Sequence, residues 1–486
     1  MQWRTAVVKN KSIIFADMKI MYCIRGLHNS GGMERVLSVK ANLLASRGHE
    51  VSIVVLRLKG RKPFFPIDPS VNIVDLSAPY LSLPGHPSSA NATSDSPRST
   101  VSSAVGSTSN LATGSARTES STSNPASCSA RTESSSAPIS SAVGSTSSLA
   151  SCSARTQSIT SVPATGASER LKGSVRERLS RVVEMLDPDV CVSLCGPEVR
   201  ILPAVAGGRP CVAEYHFSHD KFYRKYGGIF MYPYAWLRTH MLERAVSEYD
   251  CMVTLTEHDL PIWKRHCRRV ERIFNPVTTP PGQVSRLAEK RMIAVGRLED
   301  QKNFKDLVSA WSIVAERCPD WRLEIFGEGK LEHALRSQIA RLGLTGSVIL
   351  RGVVKDIASE YSNSSALLMT SLHEGFPLAL VEASSFGLPL ISYDCPTGPS
   401  EIIVDAGDGG GVGNVPAATL DQAAGNTPNG YLVPVGDVRT LADRICRIAS
   451  DDNLRLRLGA ASKASSHRFT PETIISAWEH LFSSLL

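Results

Sequence analysis

The chain has 486 residues, 42% of them hydrophobic and 20% charged, with a formal net charge of +7. That length exceeds one ordinary core, so a soluble enzyme of two domains is the expectation. The small positive balance suits anionic ligands or an acidic membrane surface, and the lack of a basic aromatic stripe argues against nucleic acid.

The first residues carry basic charges but too short an apolar stretch for a secretory signal. Met18 stands just before the first strand, so residues 1–17 read as a non-structural extension. KIMYCIRG (19–26) is predicted as a strand, GLHNSGG as a glycine-rich turn, MERVLSVKANLLASRG as an amphipathic helix closed by Gly48, and EVSIVVLR as the next strand. This βαβ opening argues for a parallel sheet, to which VNIVDL (71–76) adds a strand. From 83 to 168 the pattern collapses into Ser, Thr, Ala, Gly and Pro. SSAVGSTSNLA at Ser102 recurs as SSAVGSTSSLA at Ser140, and SARTES occurs at Ser115 and Ser129. Such a composition cannot bury enough apolar surface to offset its ordering entropy, so it reads as a disordered repeat insertion.

Order resumes with a helix over 169–187, the strands DVCVSL (189–194) and CVAEYHF (211–217), a helix over 235–248, the strand CMVTLT (251–256) and a helix from Glu257. RIFNPV (272–277) runs into TTPPGQ, read as an interdomain linker. The first domain therefore spans 18–278. The second half repeats the alternation: strand RMIAVGRL, helix NFKDLVSAWSIVAERC, strand WRLEIFGEGK, then SVILRG, ALLMTSL (366–372) and LPLIS (388–392) with helices between. A second doubly wound sheet over 284–468 follows, with a glycine-rich insertion at 405–428 and a terminal amphipathic helix over 470–486. The fold class is α/β. The eleven cysteines show no zinc spacing and fit the reducing cytoplasm, and no apolar run approaches a membrane span.

The densest chemistry lies in SLHEGFPLALVEASSFGLPLISYDCPTGPSE, from Ser371 to Glu401. Glu374 precedes the turn Gly375-Phe376-Pro377, and Glu382 lies eight positions on, in an apolar helix with Leu378, Val381 and Phe386. Loops at the carboxyl ends of strands form the ligand crevice in such units, which places Glu374 there; a helix N-terminal charge is the alternative. An unpaired carboxylate at 382 is costly in that setting. Gly296-Arg297 and Lys302 stand where a strand ends and a helix begins, a place for cations to hold a diphosphate or simply a solvated basic turn. Gly327 opens the loop GEGK, and Gly31-Gly32 follow the first strand; both let a ligand approach the backbone, or are tight turns. His216 ends a strand within EYHFSHD, where a histidine is usually structural.

GGMERV, FNPV, VGRLEDQKNFKDL, IFGEG, SLHEGFPLALVEASSFGLPLIS, GPSEI and NGYLVPVGD occur in the order and approximate spacing of the family 4 glycosyltransferases. This resemblance covers 18–80 and 170–486. It implies the GT-B fold, two Rossmann-like domains with a cleft between them, the first taking the acceptor and the second the donor. The subset GGMERV, PFFPIDPSVNIVDL and DCPTGPSE resembles bacterial enzymes of surface-polysaccharide and lipid-linked oligosaccharide synthesis.

The implied activity is retaining transfer of a hexose or N-acetylhexosamine from a nucleotide diphosphate sugar, a UDP-sugar, to a glycan or polyprenyl-diphosphate-linked acceptor in lipopolysaccharide or exopolysaccharide synthesis. By that resemblance Arg297 and Lys302 would neutralise the donor diphosphate, Glu382 would accept from the ribose hydroxyls, and Glu374 would contact the transferred sugar. Gly375, Phe376, Pro377 and Leu378 would shape the donor loop. Gly31, Gly32, Gly296, Gly327 and Glu401 would complete the donor-binding set, and His216 would face the donor sugar or acceptor hydroxyl. The paired glutamates then look like donor grips rather than a hydrolytic acid–base pair. No metal or other cofactor is expected, because no Asp-x-Asp site is needed and DPD at 187–189 reads as a turn. A cytoplasmic protein results, peripheral on the inner membrane face if the basic residues of 169–181 and Lys264–Arg269 meet lipid, or with an ordinary solvated face there. Competing readings are a sugar-nucleotide epimerase or a phosphorylase on the same fold, the latter without its pyridoxal lysine motif here, and a non-catalytic scaffold built around the serine-rich repeats.

Overall fold

The computed structural model describes residues 17–78, 173–226, 228–280, 282–407 and 427–486. The expected extension (apart from Asp17), the serine-rich insertion over 83–168 and most of the 405–428 insertion lie outside the described residues.

Two parallel sheets carry the described chain. The first has the order β3-β2-β1-β4-β5-β6-β7, from β1 (Lys19–Ile24), β2 (Glu50–Val55), β3 (Asn72–Asp75), β4 (Val190–Ser193), β5 (Cys211–Glu214), β6 (Cys251–Thr254) and β7 (Val270–Arg272). The second has the order β10-β9-β8-β11-β12-β13, from β8 (Arg291–Val295), β9 (Arg322–Phe326), β10 (Val348–Gly352), β11 (Leu367–Met369), β12 (Leu390–Tyr393) and β13 (Gly430–Val433). Strands buried on both faces must be nearly continuous apolar runs, and KIMYCI and EVSIVV are buried at every position but the first. In each sheet the strand order reverses beside the opening strand, at β1/β4 and β8/β11. Ligand crevices open at such switch points.

In chain order the helices are α1 (Gly32–Ser46), α2 (Val175–Leu186), α3 (Leu202–Val205), α4 (Lys221–Lys225), α5 (Tyr232–Val246), α6 (Leu260–Trp263), α7 (Phe304–Arg317), α8 (Glu332–Arg341), α9 (Ile357–Ser362), α10 (Leu378–Ser385), α11 (Pro399–Ile402), α12 (Val438–Ser450), α13 (Asp452–Ser465) and α14 (Pro471–Ser483). Three boundaries differ from the sequence expectation. The helix expected over 169–187 begins at Val175, because Ser174 and Glu177 form a capping box behind Gly173 at φ +107°. The helix expected over 235–248 starts three residues earlier, with Pro233 in its first turn. The helix expected from Glu257 is a single turn, α6.

The terminal helix α14 returns to the first domain. Ile474, Ile475, Trp478, Leu481 and Phe482 join Leu37, Ala41 and Leu44 of α1 in one buried cluster. Thr470 caps α14 through the Thr473 amide, and Glu479 binds Arg47 at 2.5 Å and His49 at 3.2 Å. No helix among the described residues is long and apolar enough to cross a membrane.

Candidate active site

The second-domain half of the site grows from the ends of β8, β9 and β11. Gly327 has φ +138°, and a Cβ there would stand 1.9 Å from the Gly296 carbonyl oxygen, so these two glycine loops stack backbone on backbone. The Lys302 stem runs over Gly296, with its methylenes 3.1–3.2 Å from where a Cβ would sit. Lys302 Nζ then reaches Glu374 Oε1 at 2.6 Å. The Thr397 hydroxyl donates to the Glu374 carbonyl, fixing the loop that carries the carboxylate. Pro377 forms the N-cap of α10 without a side-chain hydrogen bond, so the first turn of that helix is open to an acceptor. The Arg297 side chain is 67% exposed and pairs with Glu299 at 3.0 Å.

The first-domain half centres on His216. Its Nε2 lies 3.1 Å from Glu214 Oε1. This contact lacks hydrogen-bond geometry, for the same nitrogen has no hydrogen-bond partner among the described residues. Glu214 in turn takes Lys40 Nζ on both oxygens at 2.5 Å, and Lys40 lies over the Trp478 ring at 4.1 Å. Burial pushes the Glu214 carboxyl up, yet Lys40 and His216 outweigh it and hold the group down to about 2. Glu214 is therefore a fixed anion beneath His216. No motif marks Lys40 or Glu214, although the sequence carries a signal for each. Lys40 falls within the buried stripe of α1 with Val36, Leu37, Ala41 and Leu44, and Glu214 precedes His216 by two, the same-face spacing of a strand.

The two halves meet at the Gly375–Leu378 loop. A Cβ on Gly375 would stand 2.4 Å from the His216 carbonyl oxygen and 3.0 Å from Phe217 Cα, and one on Gly32 would touch Leu378 Cδ1 at 3.2 Å. Phe376 stacks on Phe274 with ring centroids 5.4 Å apart. Glu401 accepts from the Glu257 amide at 2.5 Å and pairs with Arg272 at 3.2 Å. Glu382 is buried and engaged with protein on both oxygens. Arg35 Nη1 lies 2.9 Å from Oε1, the Thr278 hydroxyl donates to Oε1 at 2.7 Å, and the Tyr361 hydroxyl donates to Oε2 at 3.1 Å. Arg35 belongs to the GGMERV motif, and nothing in the spacing of Thr278 or Tyr361 marks them as neighbours of Glu382.

Gly31 caps α1, with the Glu34 side chain folded over it. His28 Nδ1, Thr256 Oγ1 and Ser371 Oγ, each just beyond the end of a strand, are buried and have no hydrogen-bond partner among the described residues. Together with His216 they line the strand ends with polar atoms that a ligand would satisfy. His373, beside this loop, has its imidazole value lowered by burial and by Arg224. Such a site can hold a polar, anionic ligand between Lys302 and the open turn of α10, with an oriented imidazole opposite. The one group of three or more potential metal-ligating side chains found among the described residues, His219, Glu243 and His266, contains none of these residues.

Residues 280–465 match the family described as glycosyl transferases group 1. The chain is 27% identical over 238 residues to an uncharacterized glycosyltransferase of Haemophilus influenzae, covering 48% of this chain and 62% of that protein. It is 30% identical over 195 residues to the amylovoran biosynthesis glycosyltransferase AmsD of Erwinia amylovora, covering 40% of this chain and 48% of that one. The chain thus spans less than two thirds of the length of either relative. Among solved structures, Anabaena HepE in complex with UDP aligns with a TM-score of 0.57 at 15% identity, over 96% of this chain and 100% of that one. That likeness identifies the architecture as GT-B, as expected from sequence.

Proposed function

Because residues 280–465 carry a group 1 glycosyltransferase domain in a GT-B fold, we propose that the protein is a retaining glycosyltransferase. It moves a hexose or N-acetylhexosamine from a UDP-sugar to a glycan or polyprenyl-diphosphate-linked acceptor in surface-polysaccharide synthesis. The observation that carries this reading is the meeting of the Glu374–Pro377 loop, with its Lys302–Glu374 pair, and the backbone of His216–Phe217. The hard step is departure of a nucleoside diphosphate, and charge must be stabilised where it develops. Lys302 and the open first turn of α10 are the diphosphate partners. Arg297 joins them by leaving Glu299, since an exposed pair is worth only about 0–1 kcal/mol. Glu374 contacts the sugar, His216 faces the sugar or the incoming hydroxyl, and Glu382 lies on the nucleoside side. With cations already at the leaving group, transfer proceeds without a divalent ion at this site.

Labelled UDP-sugars presented to the purified protein test the reading. Lys302→Ala and Glu374→Ala are expected to lower transfer by about 10²-fold or more, and chelator is expected to leave it intact. No turnover of any nucleotide sugar, together with Glu382→Ala and Arg297→Ala binding nucleotide as the parent does, refutes it.

A lipid-linked acceptor calls for contact with an anionic bilayer. Besides the basic residues of 169–181 and Lys264–Arg269, the segment around α5 offers groups suited to this contact. Phe230 is 94% exposed, Tyr232 61% and Trp236 53%, with Lys225 and Arg238 alongside. Exposed aromatics flanked by cations match an acidic lipid interface. Phe230→Ser with Trp236→Ser is expected to abolish sedimentation with phosphatidylglycerol vesicles; undiminished sedimentation counts against this contact.

A further inference from the structure

Outside the cleft, three segments of the first domain bring imidazoles to one carboxylate. His219 lies between β5 and α4, Glu243 in the last turns of α5, and His266 after α6. His219 Nε2 is 2.9 Å from Glu243 Oε1, and His266 Nε2 is 3.5 Å from the same oxygen. The ligating atoms of all three lie within 4.8 Å of one another. The His219–Glu243 contact is an ordinary hydrogen bond. The His266 ring makes none among the described residues, so hydrogen bonding does not account for its aim at the carboxylate. Trp263 makes T-shaped contacts with both imidazoles, with ring centroids 5.0 Å from His219 and 6.4 Å from His266.

We infer that His219, Glu243 and His266 bind one divalent transition-metal ion of the Zn²⁺ class. Bonds of about 2.1 Å in tetrahedral geometry put ligand atoms about 3.4 Å apart, which the 3.5 Å pair meets and the 2.9 Å pair reaches by exchanging its hydrogen bond for the ion. Two imidazoles and one carboxylate suit a borderline ion such as Zn²⁺, against the all-oxygen sets of Ca²⁺ and Mg²⁺ or the thiolates of Cu⁺. Three protein ligands leave a fourth position. The ion touches none of the donor residues, so the inference stands independently of the transfer reaction. Its effect falls on the segment that follows His216, which it ties to α5 and to the loop before β7.

The test uses the full chain stripped with chelator and desalted. Calorimetric titration with ZnCl₂ is expected to give one ion per chain and a Tm that rises with Zn²⁺. Titration with CoCl₂ is expected to give visible absorption without a thiolate charge-transfer band. Glu243→Gln and His266→Ala are each expected to weaken Zn²⁺ binding by about 100-fold while the ion-free circular dichroism matches the parent. His266→Gln serves in place of any variant that does not fold. Absence of stoichiometric binding, a thiolate band, or affinity unchanged in the folded variants overturns the inference.

Discussion

Lys40→Met tests the first-domain half of the site most directly. Lys40 and Glu214 are each 1% exposed and paired at 2.5 Å. Against an ordinary value of 4.5, Glu214 is held at about 2 despite its burial. At 1.36 kcal/mol per pH unit this corresponds to roughly 3 kcal/mol of native-state stabilisation. Because the folded value lies below the unfolded one, the contribution is complete above about pH 4.5 and is lost as pH falls toward 2. Burial also lowers the Lys40 value, which acts at the alkaline end and leaves the acid window to the carboxylate. Removing the ammonium strands a buried anion, a loss of about 3–5 kcal/mol. The lost contact with the Trp478 ring adds to it. Adding Glu214→Gln removes the stranded charge, so the double variant recovers much of the loss. Urea unfolding at pH 7, read as a shift in midpoint at constant slope, measures both. A loss under about 1 kcal/mol in Lys40→Met, or a double variant no more stable than the single, refutes the reasoning.

Gly375→Ala places a methyl 2.4 Å from the His216 carbonyl oxygen, against backbone that cannot swing aside. It is expected to lower kcat/KM at least about tenfold and to lower Tm as well, since the junction must open to admit the methyl, and unaltered kinetics with the nucleotide sugar would show that this junction is not part of the site. Arg35→Ala removes a part-exposed partner of Glu382, worth about 1 kcal/mol, and is expected to tighten UDP binding by about fivefold in Kd. Weaker UDP binding, measured by calorimetry, would instead make Arg35 a donor contact.

The sheets were legible because parallel strands are forced into continuous apolar runs, and the loops after them follow from topology. The Lys302–Glu374 neighbourhood was legible for the same reason, since both residues sit just past strand ends of one sheet. What sequence could not supply was direction and partnership. Arg297 has the same loop placement as its neighbours, yet its long side chain turns outward to Glu299, because spacing fixes a backbone position and not a rotamer. The stripe of α14 announces that it packs, whereas its return to α1 depends on contacts more than 400 positions apart in sequence.

Glu382 shows the same division between demand and supply. An acid in LALVEASS needs partners, and the apolar surroundings make that need visible from sequence alone. The expected partners were ribose hydroxyls, and the observed ones are Arg35, Thr278 and Tyr361. A carboxylate offers about four acceptor positions, and these three side chains leave little for a nucleoside. Tyr361 and Thr278 are both buried. Arg35 is the partner that enters from α1 and keeps contact with solvent. Within the proposed function, a ribose that binds Glu382 therefore competes with Arg35, and the affinity of the second domain for its donor depends on how firmly the first domain holds the same carboxylate.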